Sequence, residues 1–369
     1  MMIDTEKFYN SLISSGFDFF AGVPDSLLKE LCSCITDKTP SERHVITANE
    51  GNAVAMCAGY HMASGKYGVT YMQNSGQGNA VNPLASLTDS DVYSIPLLLI
   101  IGWRGEPGVH DEPQHVKQGK ITLGLLDVLG IEYSILDDDY ESAISKAISS
   151  MKSDKPYAII VRKDTFSKYA SPKIQSDYTM TREDALESII SCLGKDDMIV
   201  STTGKTSREI FEIREKRGES HENDFLTVGS MGHTASIAYG MALGTDRDVF
   251  CIDGDGSMLM HMGGLAVIGT SLLPNFKYIV NDNSSHESVG GQPTCTGKLD
   301  LVSILSGFGF KKIITVDSKE GISDAIAESK SETGVAIVLK TKTGSRSDLG
   351  RPTTTPVENK ESLMKKMGL

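Results

Sequence analysis

An α/β fold of two domains, each a doubly wound parallel sheet, is predicted for this chain by three observations. The chain has 369 residues, more than one domain usually spans. Short apolar runs alternate with helical patterns from end to end, as expected when parallel strands are joined by crossover helices. A polar stretch at 168–178, holding Pro172, separates two halves of similar architecture. The expected boundaries are therefore 1–167, a linker at 168–178, and 179–369. Ligands of such sheets lie beyond the carboxyl ends of the strands, so the residues after each apolar run are the ones to search.

Composition narrows the function classes. Hydrophobic residues make up 39% and charged residues 23%, ordinary for a globular protein, and no apolar run approaches membrane length. No secretory pattern opens the sequence, so a cytoplasmic location is expected. A net charge of −12 argues against nucleic acid or an anionic membrane as a partner, though a local cluster of Arg and Lys can still meet a small anion. Cysteines 32, 34, 57, 192, 251 and 295 show no paired C-x-x-C spacing, which favours reduced thiols over zinc or disulfides.

In the first half, 4–15 has the pattern of an amphipathic helix and 17–22 that of a buried strand, ending in Val23-Pro24-Asp25-Ser26 before another helix. Asp25 stands at a strand end, as a helix cap, a catalytic carboxylate, or both. A second strand from His44 leads into a helix that Glu50 begins and that carries Ala53, Ala55, Ala58, Gly59 and Ala63, small residues that allow close packing, as across a subunit boundary. The strand 69–72 precedes the loop Asn74-Ser75-Gly76-Gln77-Gly78-Asn79 and a helix through 87. After the apolar strand 95–102 stand two histidines, three acids and one arginine within residues 103–115. That density marks an active-site loop, in which His110 and His115 relay protons near neutral pH and Arg104 meets an anion. The strand 157–162 closes this half.

In the second half a helix at 181–193 and a strand at 198–201 lead to the turn 202–208, where Lys205 and Arg208 face an anion or solvent. The turn 226–233 precedes a small-residue helix at 235–243. Next, the strand 248–252 runs into Gly254-Asp255-Gly256-Ser257 and a helix at 258–270. Glycines at such a turn let backbone N–H groups approach an anion, and the helix aims its positive end there. Beyond the next strand, 276–280, stands Asn283, 28 positions after Asp255. A carboxylate and an amide oxygen suit Mg²⁺ or Ca²⁺ bridging the protein to a diphosphate. His286 to Thr294 is a segment expected to close over the site. A helix at 301–306, capped by Asp300, precedes the final strand at 336–340. Beyond that strand Arg346 and Arg351 add two cations, and 358–369 ends the chain as a helix.

The stretch from Gly254-Asp255-Gly256 to Asp282-Asn283 resembles the diphosphate-binding motif of thiamine diphosphate enzymes, which opens Gly-Asp-Gly and closes on Asn-Asn. It departs at Asp282 and at Ser284, where Asn and Gly are usual. The resemblance implies that Asp255, Asn283 and the Ser285 carbonyl hold Mg²⁺, with Gly254, Gly256 and Ser257 at the diphosphate. It further implies that Glu50 hydrogen-bonds the pyrimidine ring of thiamine diphosphate, near Gly76 and Gly78. Gly229 would offer its carbonyl to the pyrimidine amino group, and Met231, beside Ser230, would wedge between the two rings. Ala48-Asn49-Glu50-Gly51-Asn52-Ala53, Gly22-Val23-Pro24-Asp25-Ser26, Arg104-Gly105-Glu106-Pro107-Gly108, Asp111-Glu112-Pro113-Gln114-His115 and Ser288-Val289-Gly290-Gly291-Gln292-Pro293 look like the two-domain decarboxylases of this family, which lack a middle domain.

The implied reaction is decarboxylation of a small anionic 2-oxo acid whose head group is a phosphonate or, alternatively, a sulfonate. Asp25, Glu50, His110 and His115 are the catalytic candidates, and Arg104, Lys205, Arg208, Arg346 and Arg351 the candidates for the head group. A homodimer or larger homo-oligomer with sites at the subunit interface is implied as well. A carboligase is a less favoured reading because those chains are longer. A non-catalytic cofactor binder would have no use for Glu50.

Overall fold

The computed structural model describes residues 2–170 and 176–369, so the linker expected at 168–178 lies partly outside the described residues. Two compact units result, one of residues 1–173 with 288–292 and one of residues 174–287 with 293–369.

The first unit carries the strands β1 (Phe19–Gly22), β2 (His44–Ile46), β3 (Gly68–Gln73), β4 (Leu98–Gly102), β5 (Glu132–Ile135) and β6 (Tyr157–Val161). The second carries β7 (Met198–Ser201), β8 (Asp224–Leu226), β9 (Val249–Gly254), β10 (Phe276–Asp282), β11 (Lys312–Val316) and β12 (Val335–Lys340). Each set forms a six-stranded sheet, in the orders β2-β1-β3-β4-β6-β5 and β11-β12-β10-β9-β7-β8, and every pairing is parallel. Read from its other edge, the second order repeats the first strand for strand. The expectation of two doubly wound parallel sheets thus holds.

Both sheets are covered on both faces, which explains their nearly unbroken apolar strands. Side chains of a strand point alternately to opposite faces. Accordingly Phe20, Tyr71, Leu98, Ile100 and Ile159 join one core cluster while Ala21, Met72, Leu99, Ile101 and Ile160 join the other. In the second unit Ile199, Phe250, Ile252, Ile279 and Ile337 lie on one face, and Val200, Val249, Cys251, Tyr278 and Val338 on the other. Truncating one of these fully buried aliphatic side chains to alanine costs about 2–5 kcal/mol. That rigidity holds the loops at the carboxyl edges of the sheets.

Three elements differ from their sequence reading. The helix expected at 258–270 is two helices, Asp255–Met260 and Gly263–Ser271, because His261 leaves helical geometry at φ −137°, ψ 43° and Gly263-Gly264 follows it. The loop 103–115 stops short at Pro113, which opens the helix Pro113–Val128 and places His115 in its first turn. Proline suits that position because the first helical N–H has no partner to lose. The turn 202–208 likewise ends early, since the helix Lys205–Arg217 begins at Lys205.

Candidate active site

In the first unit, Glu50 opens the helix Glu50–Ser64, which Asn49 caps by accepting from the Asn52 N–H at 3.0 Å. Only 4% of Glu50 is exposed, and burial pushes its carboxyl above the usual range. Asn79 donates to Glu50 Oε2 at 2.7 Å. Gly76 makes room for this carboxylate, since a Cβ there would stand 2.2 Å from Glu50 Oε1. Gly78, by contrast, faces open space. Sequence reasoning missed Asn79, although its place in a loop that already held Gly76 and Gly78 was a signal.

Asp25 follows β1 and is fully buried. Its Oδ2 accepts from the N–H groups of Leu27 at 3.1 Å and Leu28 at 3.3 Å, while Oδ1 has no hydrogen-bond partner among the described residues. Burial pushes its carboxyl up to about 6 against the pull of nearby Arg104. Gly102, which ends β4, leaves space for this carboxylate, because a Cβ there would lie 2.1 Å from Asp25 Oδ2. Arg104 grips Asp111 through Nε and Nη2 and donates from Nη1 to Ser26 Oγ at 2.7 Å. Asn74 ties the glycine loop to the same place, donating to the Arg104 carbonyl at 2.8 Å. His115 is buried, its Nδ1 has no partner among the described residues, and burial pushes its ring down to about 4, so it is neutral at physiological pH. His110 is exposed. The carboxyl edge of this sheet thus gathers Asp25, Arg104 and His115, whereas His110 points to solvent.

In the second unit, β9 ends at Gly254 and Asp255 starts the next helix. Asp255 is 4% exposed and accepts from Thr294 Oγ1 at 2.6 Å and Thr296 Oγ1 at 3.1 Å. Burial foremost, and the neighbouring Asp282, push its carboxyl up to about 6. Among the described residues no cationic side chain pairs with it. Asp282 differs in having Lys340 as a counter-charge.

The two departures from the family motif support each other. Ser284 adopts φ 54°, the left-handed region that favours the usual glycine. Its backbone N–H and its hydroxyl both reach Asp282 Oδ1, at 3.0 and 3.2 Å. Asn283 Oδ1 accepts from the Ser285 N–H at 3.1 Å, and its Nδ2 donates to Glu287 Oε2 at 3.0 Å.

The turn after β8 packs against the same loop. Gly229, Ser230 and Gly232 all have positive φ, Gly229 N–H donates to Thr203 Oγ1 at 3.0 Å, and Gly232 N–H donates to Ser257 Oγ at 3.1 Å. A Cβ on Gly256 would meet the His286 ring at 3.0 Å and the Met231 methyl at 3.5 Å, so these three residues are mutual neighbours. His286 is buried, and burial pushes its ring down to about 4. It went unassigned in the sequence, where its position directly after the oxygen-rich loop was the available cue.

The five cations expected for the substrate have different fates. Arg104 holds Asp111, Lys205 pairs with Glu287 at 2.9 Å, and Arg346 is shared among Glu183, Glu212 and Asp348. Arg351 is exposed. Arg208 is half-buried and has no acidic partner among the described residues, and loss of solvent lowers its affinity for the proton.

Two family models match the chain: the N-terminal TPP binding domain of thiamine pyrophosphate enzymes over residues 5–124, and their C-terminal TPP binding domain over residues 202–339. A phosphonopyruvate decarboxylase of Streptomyces viridochromogenes is 35% identical, over 97% of this chain and 93% of its own. The chain belongs to the thiamine pyrophosphate-dependent decarboxylases. A second phosphonopyruvate decarboxylase, of Streptomyces hygroscopicus, is 32% identical over 97% of this chain and 92% of its own. A sulfopyruvate decarboxylase of Methanosarcina acetivorans is 27% identical over 88% and 87%.

The cofactors of this decarboxylase are thiamine diphosphate and Mg²⁺. The residues fit them. Asp255 is a buried carboxylate without a counter-charge, in a loop of hard oxygen donors, which is what a divalent cation requires. Among the described residues no three His, Cys, Asp or Glu side chains cluster as a metal site. Its substrate is a small molecule, and among the described residues no helix is long and apolar enough to cross a membrane.

Proposed function

We propose that this decarboxylase converts 3-phosphonopyruvate to phosphonoacetaldehyde and carbon dioxide, a step of phosphonate biosynthesis. The observation that carries this reading is near full-length similarity to two phosphonopyruvate decarboxylases, at 35% and 32% identity, against 27% for the sulfopyruvate enzyme. In the reaction the C1–C2 bond breaks, carbon dioxide leaves, and a proton replaces it on carbon. Bound thiamine diphosphate supplies the electron sink, which no side chain provides.

The chain's own residues do the rest. Residues 1–167 bind the pyrimidine end and 179–369 the diphosphate end, joined by the linker 168–178. Buried Glu50 would meet the pyrimidine ring, Gly76 leaves room for its carboxylate, and Gly229, Ser230 and Met231 would hold the cofactor from the other unit's turn. Asp255, Asn283 and the Ser285 carbonyl hold Mg²⁺, and Gly254, Gly256 and Ser257 receive the diphosphate. Asp25 and neutral His115 are the candidates to handle protons at the reacting carbon, and His110, exposed in the loop, is a more distant one. Arg208 binds the phosphonate, because a half-buried cation without a counter-charge favours a dianion. Arg104, Lys205 and Arg346 already answer carboxylates and play a structural part, and Arg351 stands exposed. As the family resemblance implies, the chain acts as a homodimer or larger homo-oligomer in the cytoplasm, with its sites at the subunit interface.

The test is carbon dioxide release from phosphonopyruvate, with thiamine diphosphate and Mg²⁺ each withheld in turn. Turnover only when both are present supports the reading. Faster turnover of sulfopyruvate would overturn the assignment of the head group.

A further inference from the structure

Asn283 is the metal ligand of the reading above, and the inference drawn here rests on that reading. A terminal amide can sit either way round, and only its oxygen can bind a cation. Around Asn283 the partners leave one choice. The Ser285 N–H, which can only donate, faces Oδ1 at 3.1 Å, and the Glu287 carboxylate, which when ionised can only accept, faces Nδ2 at 3.0 Å. Turning the amide over would set donor against donor and oxygen against carboxylate. A carbonyl oxygen has two lone pairs, so Oδ1 keeps one for a cation while accepting from Ser285.

Glu287 is itself fixed. Arg182 Nη1 donates to its Oε2 at 3.1 Å and Lys205 Nζ to its Oε1 at 2.9 Å. Behind Arg182, Glu209 closes the network through Nε at 2.7 Å and Nη2 at 2.8 Å. Arg182 and Glu209 are 5% and 1% exposed, so this pair is a rigid anchor. Two carboxylates and two cations balance, which keeps Glu287 charged without adding net charge beside the metal loop. We infer that Glu287 is a positioning residue for Asn283, holding the amide oxygen toward the divalent cation through a buried Glu209–Arg182–Glu287 chain, with Lys205 as its second anchor.

The experiment follows thermal unfolding of the full-length protein with thiamine diphosphate present, while Mg²⁺ is titrated. Outer partners of metal ligands typically contribute about 10–100-fold in affinity. Glu287→Ala is expected to raise the half-saturating Mg²⁺ concentration at least tenfold. Glu287→Gln, which keeps one acceptor oxygen and the side-chain volume, should raise it by less, and protection should return in both at saturating Mg²⁺. If Glu287→Ala does not fold, Glu287→Gln carries the test. A general loss of packing would lower the unfolding temperature of the apoprotein and leave the Mg²⁺ midpoint in place. A midpoint within twofold of wild type in the folded variants therefore overturns the inference, even where Asp255→Ala abolishes protection. Wild-type protein without any Mg²⁺-dependent protection would instead overturn the cofactor site itself.

Discussion

Gly76→Ala isolates the placement of Glu50 from the rest of the site. The Cβ introduced there would stand 2.2 Å from Glu50 Oε1, 2.4 Å from Cδ and 2.5 Å from Cγ. Normal contact distances require the carboxylate to retreat by about 1 Å, since non-bonded carbon and oxygen gain most near ~3.5 Å. Gly76 is helical, at φ −71° and ψ −15°, so alanine strains no backbone and the clash falls wholly on a side chain. The fold should survive at a cost of about 1–3 kcal/mol for overpacking. Glu50, however, gives up its 2.7 Å contact with Asn79, and a misplacement of ~1 Å at a reacting group can cost about 100-fold in rate. The matched control is Gly78→Ala, two positions on, where a Cβ meets nothing within 4 Å. That change lies in a helix and should stabilise by about 0.5–1 kcal/mol with turnover kept. Steady-state decarboxylation and urea unfolding of the two variants make the comparison. Equal turnover for both, or full turnover for Gly76→Ala, would refute the reasoning.

Asp25→Asn tests the buried carboxyl by its pH dependence. Because the folded group sits at about 6 against an ordinary 3.8, its contribution to wild-type stability is complete below 3.8 and lost as pH rises through 6. The variant should therefore gain roughly 2–3 kcal/mol on wild type at pH 8 and almost nothing at pH 3.5, read from urea midpoints, while its decarboxylation falls; a pH-independent difference would contradict this. Arg208→Met should raise KM for phosphonopyruvate by about 10–100-fold, as expected for one lost charge-assisted contact. Arg346→Met should change mainly stability, since Glu183, Glu212 and Asp348 already share that guanidinium; matching KM values for the two variants would refute the distinction.

What the sequence made legible follows the range of the interactions involved. The inner strands were plain, because runs such as Leu98–Gly102 are buried on both faces and carry no polar interruption, whereas the edge strands β5, β8 and β11 went unread. The break at His261 was hidden, since Met258 to Thr270 keeps its apolar character while the backbone leaves the helix for two residues. Within the proposed site, Asp255 and Asn283 stand out through a fixed spacing just after consecutive strands. Glu287 did not, because its meaning depends on Arg182, 105 positions earlier in the chain. The cations show the same limit: Lys205, Arg208 and Arg346 are equivalent as letters, and only tertiary pairing separates the two that hold carboxylates from the one that does not. Ser284 is the instructive case in between. Its departure from glycine was visible, but its left-handed backbone and its bonds to Asp282 were not.

The central proposal is that Glu50 of one copy and Asp255 of another serve the same cofactor. It is tested by mixing two inactive variants, Glu50→Gln and Asp255→Ala, under conditions where subunits exchange, and measuring carbon dioxide release. In a two-fold assembly each hybrid keeps one intact site of two, and random exchange makes half of the dimers hybrid, so about a quarter of wild-type activity should return. No recovery once exchange is complete would contradict the account.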